Sequence, residues 1–145
     1  MLFNSGTNEV IESIVGSFAV AKDHRENSAR TGVREISAQG QTLFVKIYNR
    51  LNRWHPEVFA YRNWTARLGA FAPELIAAFN EGDVFGIITT AVPGRTVNEA
   101  GLDDEKKLIK IYNETGHLLR KMQGDKKTRS SVHRRRTEVR LEKQL

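Results

Sequence analysis

Cysteine is absent from the 145 residues. Disulfides and thiolate metal sites are thereby excluded, and a reducing cytoplasm is the expected setting. No apolar run approaches the ~20 residues of a membrane-crossing helix. The opening residues, MLFNSGTNEVIESIV, lack the basic start and apolar stretch of a signal peptide. No GxGxxG occurs anywhere, and there is no internal repeat or low-complexity tract. No Ser/His/Asp trio has a supporting turn motif. His55-Pro56-Glu57 has the form of half a zinc-deaminase signature, but the cysteines that chemistry requires are missing. His24, His117 and His133 are dispersed and read as solvated.

What remains is an ordinary soluble composition, 39% hydrophobic and 28% charged, long enough for one domain with a modest core. The net charge of +6 is unevenly spread. Residues 125–145 hold eight Lys/Arg against three Asp/Glu, a local +5, so a basic tail accounts for nearly all of it.

The centre of the pattern is residues 42–69, TLFVKIYNRLNRWHPEVFAYRNWTARLG. It opens as a strand in which Leu43, Val45 and Ile47 alternate with Phe44, Lys46 and Tyr48. Pro56 suits a first helical position, and Glu57, Tyr61, Trp64 and Leu68 then share one helical face. Glu57 heads that stripe, and no other acid lies between Lys46 and Glu74. A strand lysine and a helix glutamate aimed inward can pair, and such a lysine can hold phosphate oxygens.

Around this stretch, residues 9–18 read as a short amphipathic helix ending at Gly16. Strands are expected at 17–21, 32–37, 42–48, 74–79 and 84–92. Ala38-Gln39-Gly40-Gln41 makes a hairpin of the second and third. Pro93-Gly94 ends the fifth. Asp103 or Asp104 caps a helix whose core-facing stripe is Leu108, Ile111, Tyr112, Thr115, Leu118, Leu119 and Met122, with Gly124 as its end. Ser130 or Ser131 opens a last basic helix through Leu141. The fold class expected is α+β: a five-stranded antiparallel sheet with one packed helix, followed by linking helices.

The order strand, strand, strand with lysine, helix with glutamate, strand, strand, Pro-Gly, helix resembles a known family. The segments LFVKIY, HPEVFAYRNW, Ala-Pro-Glu-Leu-Ile and IITTAVPGRTV are similar to the amino-terminal lobe of the aminoglycoside phosphotransferase and choline kinase-like family, a small-molecule branch of the protein-kinase-like fold. The resemblance covers roughly residues 17–124. It implies that Lys46 holds the α- and β-phosphates of ATP or GTP and that Glu57 positions Lys46. It places Thr89 at the back of the base pocket. Thr90 offers a carbonyl and Val92 an N–H to the purine edge. The loop 23–30 would cover the phosphates. The division implied is an N-terminal helix at 1–16, a nucleotide-binding lobe at 17–94, a linking helix at 95–124 and a basic helical tail at 125–145.

In the family's catalytic lobe the aspartate of a His-x-Asp orients the attacking hydroxyl, and a following asparagine and a second aspartate hold Mg²⁺. This sequence contains no His-x-Asp and no asparagine after Asn113, and its acids after Asp125 are Glu138 and Glu142 alone. Mg²⁺ is expected of the family, without its ligands here. No catalytic residue is assigned, and the chain alone is expected to be inactive. The acceptor, a small-molecule hydroxyl, would be read by a lobe outside these residues, which a partner chain could supply. Two other classes of function stand beside a phosphotransferase. One is a regulatory module with a degenerate nucleotide pocket. The other is a nucleic-acid binder acting through the basic tail, a class disfavoured by the tail's lack of aromatics.

Overall fold

The computed structural model describes residues 2–24, 31–101 and 103–124. The chain forms two units, residues 1–103 and 104–145. The first is built on five antiparallel strands: β1 (Phe18–Asp23), β2 (Thr31–Ala38), β3 (Gln41–Tyr48), β4 (Leu75–Glu81) and β5 (Val84–Thr90). Their order across the sheet is β1-β2-β3-β5-β4, with every neighbouring pair antiparallel. Both expected hairpins are present. β2 and β3 turn through Gln39 and Gly40, both at positive φ (50° and 76°), the combination whose twist matches that of the flanking strands.

Alternation along β3 divides its residues between two faces. Leu43, Val45 and Ile47 join Ile36, Phe79 and Ile88 in a dry cluster. The helix α1 (Ser5–Val15) closes that cluster with Ile11 and Val15, and Phe3 joins them. The sheet thus carries a helix on this face too, where one packed helix was expected. α1 starts four residues before the expected Glu9, because Asn4 caps it by accepting the Thr7 N–H at 2.9 Å. Thr7 is fully buried, and its hydroxyl donates to the Leu2 carbonyl at 2.9 Å.

The opposite face holds Tyr48 and Ile87, packed against α2 (Leu51–Asn63) through Val58, Trp54 and Tyr61. α2 corrects the expectation that Pro56 is a first helical position. The helix opens at Leu51, and the Arg50 carbonyl closes its first turn by accepting from Arg53 (3.2 Å) and Trp54 (3.3 Å). Pro56 is tolerated at the sixth position because its missing N–H frees only the carbonyl of Asn52, and both residues are exposed to water. A 3₁₀ segment, Thr65–Phe71, then leads toward β4, broken at Gly69 (φ 56°).

In the second unit the described residues form α3 (Glu105–Gln123), capped by Asp104, whose carboxylate accepts the Lys106 N–H at 2.9 Å. The expected stripe is there, but no residue of α3 is buried, and Tyr112 is 73% exposed. The stripe is therefore not core-facing within its own unit's described residues. The expected basic helix at 131–141 and most of the loop 23–30 lie outside the described residues. No helix among the described residues is long and apolar enough to cross a membrane.

Candidate functional site

On the α2 face of the sheet, cross-strand pairing sets side chains in rows. Val33, Lys46 and Ile87 face one another across β2, β3 and β5, and Glu35, Phe44 and Thr89 form the adjacent row. All of these but Glu35 line a cavity of about 550 Å³. Lys46, Glu57, Thr89, Thr90 and Val92, the five residues singled out from the sequence, all line it.

Lys46 and Glu57 form an ion pair. The ammonium donates to both carboxylate oxygens, at 2.9 Å (Oε1) and 2.8 Å (Oε2), and each side chain keeps about a third of its surface open, 32% and 29%. Glu57 stands in the second turn of α2, not at its head, yet it still reaches Lys46 because Trp54 anchors the preceding turn. The Trp54 indole N–H donates to the Gly86 carbonyl at 2.8 Å. An ammonium carries three donors, so the bond to Glu57 leaves one for a ligand in the cavity.

Tyr48 and Tyr61 lie beside the pair. Burial first, and the Glu57 carboxylate second, push both phenols above the usual tyrosine range, so both stay protonated. The Tyr48 ring sits beneath Lys46, with Nζ 5.2 Å from its centroid. Its hydroxyl is buried on the Glu57 side of the pair.

At the far end Thr89 is 5% exposed and faces the cavity between Ile87 and Phe44. The Thr90 N–H donates to the Glu74 carbonyl (3.0 Å), and its hydroxyl accepts the Glu74 N–H (2.9 Å), which ties the end of β5 to the start of β4. The Val92 amide has no backbone partner among the described residues. The mouth holds a group that sequence reasoning missed. His24, read as solvated, lines the cavity, stacks obliquely on Phe44 (5.8 Å between rings) and lies 3.5 Å from Glu35. Phe44 and Val33 were discoverable, since alternation puts Phe44 on the Lys46 face and pairing puts Val33 opposite Lys46. His24 follows the end of β1 and lies in the loop 23–30 that the resemblance set over the phosphates, although no role was given to its ring.

The site can therefore hold an anion at Lys46 while a flat apolar group lies along Phe44, Val33 and Thr89. Metal binding is another matter. Among the described residues no three His, Asp or Glu side chains converge.

No protein-family model matches the sequence, and no curated protein matches it. Solved structures do. The chain is similar to a thermostable mutant of the aminoglycoside phosphotransferase APH(4)-Ia in complex with ADP and hygromycin B, with a TM-score of 0.60 and 11% identity over 81% of this chain and 38% of that one. Another mutant of the same enzyme, with AMP-PNP and hygromycin B, gives 0.52 and 12% over 72% and 34%. The likeness falls on the N-terminal portion of those chains and identifies the sheet and its helices as the small lobe of a protein-kinase-like fold. The chain spans little more than a third of the length of the structures it matches.

Proposed function

We propose that this chain binds a purine nucleoside triphosphate, ATP or GTP, and forms the nucleotide side of a phosphotransferase that acts on a small-molecule hydroxyl. The single observation that carries this reading is the Lys46–Glu57 pair on the wall of a cavity that Thr89, Thr90 and Val92 also line. Lys46 turns its remaining donor to the α- and β-phosphates, and Glu57 fixes the ammonium in that direction. The purine lies along Thr89, with its edge between the Thr90 carbonyl and the Val92 N–H. The likeness to structures that hold ADP and AMP-PNP supports the choice of ligand.

The residues that orient the acceptor and hold Mg²⁺ come from outside the lobe, in a further segment or a partner chain. The acids near the cavity do not fit a metal, because Glu57 is neutralised by Lys46 and no third ligand converges on it among the described residues. The proposal is tested by calorimetric titration of the 145-residue chain with ATP and GTP, beside Lys46→Ala. Saturable binding that disappears in the variant supports it. Equal binding by both proteins would place the nucleotide elsewhere.

A further inference from the structure

Among the described residues, the ionisable side chains that line the cavity are His24, Lys46, Glu57 and Tyr61. Lys46 and Glu57 neutralise each other, and Tyr61 stays a protonated phenol, held above its usual range by burial first and by Glu57 second. The sign of the wall's charge therefore rests on His24. The His24 backbone N–H donates to the Val33 carbonyl at 2.9 Å, which extends the β1–β2 pairing by one residue, and Val33 pairs with Lys46. His24 and Lys46 thus flank Val33 in one row, their backbones two strand spacings, or about 10 Å, apart. Phe44 carries the ring, and Nε2 lies 3.5 Å from a Glu35 oxygen. Only the imidazolium can donate from Nε2 to Glu35 and from Nδ1 to a ligand at once. Around the ring stand Glu35 on β2, Lys22 on β1 and, across the cavity, Lys46 and Glu57. Glu99, in the segment after β5, has its carboxyl held low by hydrogen bonds from Thr96 first, and then by Lys22 and His24. Asp23 is taken up by Arg34 at 2.6 Å.

Resting on the nucleotide reading above, we propose that His24 is a second phosphate-binding residue and the pH-dependent one: its imidazolium, set by Phe44 and Glu35, donates to a polyphosphate oxygen beyond those that Lys46 takes. Imidazole changes charge between about pH 5 and 8. At the acid end of that window the wall is positive and holds a polyanion at two points. At the alkaline end the wall is neutral and Lys46 holds the ligand alone. Affinity for a polyphosphate should rise as pH falls through the window. By linkage, the bound ligand should keep the proton on His24 to higher pH.

The histidine rings of the full 145-residue chain can be followed by proton NMR across this window, alone and with ATP, inorganic tripolyphosphate or adenosine. ATP and tripolyphosphate should each move the titration of His24 to higher pH and leave those of His55 and His117 in place. Adenosine, which has no phosphate, should move none of them. ATP affinity, read from the amide shifts of Ile87 and Thr89, should gain about three- to tenfold from about pH 8 to about pH 5.5 relative to His24→Gln. Protonation of the ligand's own terminal phosphate acts on both proteins and drops out of that comparison. A His24 titration that bound ATP leaves unmoved, or one pH profile shared by both proteins, overturns the proposal and leaves the nucleotide reading standing. Adenosine moving His24 as far as ATP does would make the ring a base contact and overturn it too. If tripolyphosphate moves His24 in a chain that binds no ATP, the phosphate contact is upheld and the nucleotide reading fails. If neither ligand binds, both fall. The ring titrations need no substitution, so they decide the matter even if His24→Gln does not fold.

Discussion

Lys46 spends two of its three donors on one carboxylate. Removing either partner should therefore have unequal effects on a bound triphosphate. Lys46→Ala removes the cation itself, and ATP binding should fall at least tenfold, beyond calorimetric detection. Glu57→Ala leaves the ammonium but frees its direction, and the loss should be about three- to tenfold. A variant pair with the opposite ranking would make Glu57, not Lys46, the ligand contact. At Gly86 the effect belongs to stability. A Cβ there would meet the ring of Phe79, which is held in the dry cluster against α1. Gly86→Ala should cost about 1–3 kcal/mol and lower the melting temperature in a thermal scan, with nucleotide affinity changed far less. Residues of this kind differ in how far a sequence discloses them. Lys46 is visible because it interrupts an apolar alternation, and Glu57 because it has no acidic competitor before Glu74.

At the scale of elements, α2 is fastened to the sheet by two side-chain bonds, Trp54 to the Gly86 carbonyl and Glu57 to Lys46. Trp54→Phe keeps the ring among Phe85 and its neighbours and deletes only the first bond. It should cost about 0.5–1.5 kcal/mol, and hydrogen exchange of the α2 amides should quicken, since local opening of the helix becomes easier. If exchange quickens equally throughout the sheet, the bond supports the whole unit and not the helix. The strands were legible to within a residue or two, β3 from its alternation and β5 from its nearly continuous apolar run, since a strand half-buried on one face has a period of two and one buried on both faces does not. The Asp104 cap of α3 was legible too, but the starts of α1 and α2 were not. The onset of α1 is decided by one side-chain bond from Asn4, and that of α2 by water's ability to satisfy the Asn52 carbonyl beside Pro56. Neither leaves a periodic trace. The stripe on α3 misled in the other direction, since apolar spacing shows that a face can be buried and not that anything buries it.

At the scale of the molecule, the charge on a triphosphate exceeds what one ammonium compensates. The chain alone should bind ATP no more tightly than roughly the millimolar range, about −4 kcal/mol. It should transfer no phosphoryl group to any acceptor in a coupled assay, since the sequence holds no His-x-Asp and no metal cluster forms among the described residues. Turnover that vanishes in Lys46→Ala would instead locate metal ligands among acids now read as surface residues, such as Asp103, Asp104 or Glu105. The sheet that bears the site has one further property. Along residues 43–48 of β3 the odd positions enter the dry cluster, while even positions 44 and 46 border the cavity and Tyr48 packs under α2. Core and cavity wall are thus interleaved by parity on a single strand. A saturation library over these six positions, scored once for melting and once for ATP retention, should separate into two combs offset by one residue, with Tyr48 the even position that falls in the melting comb.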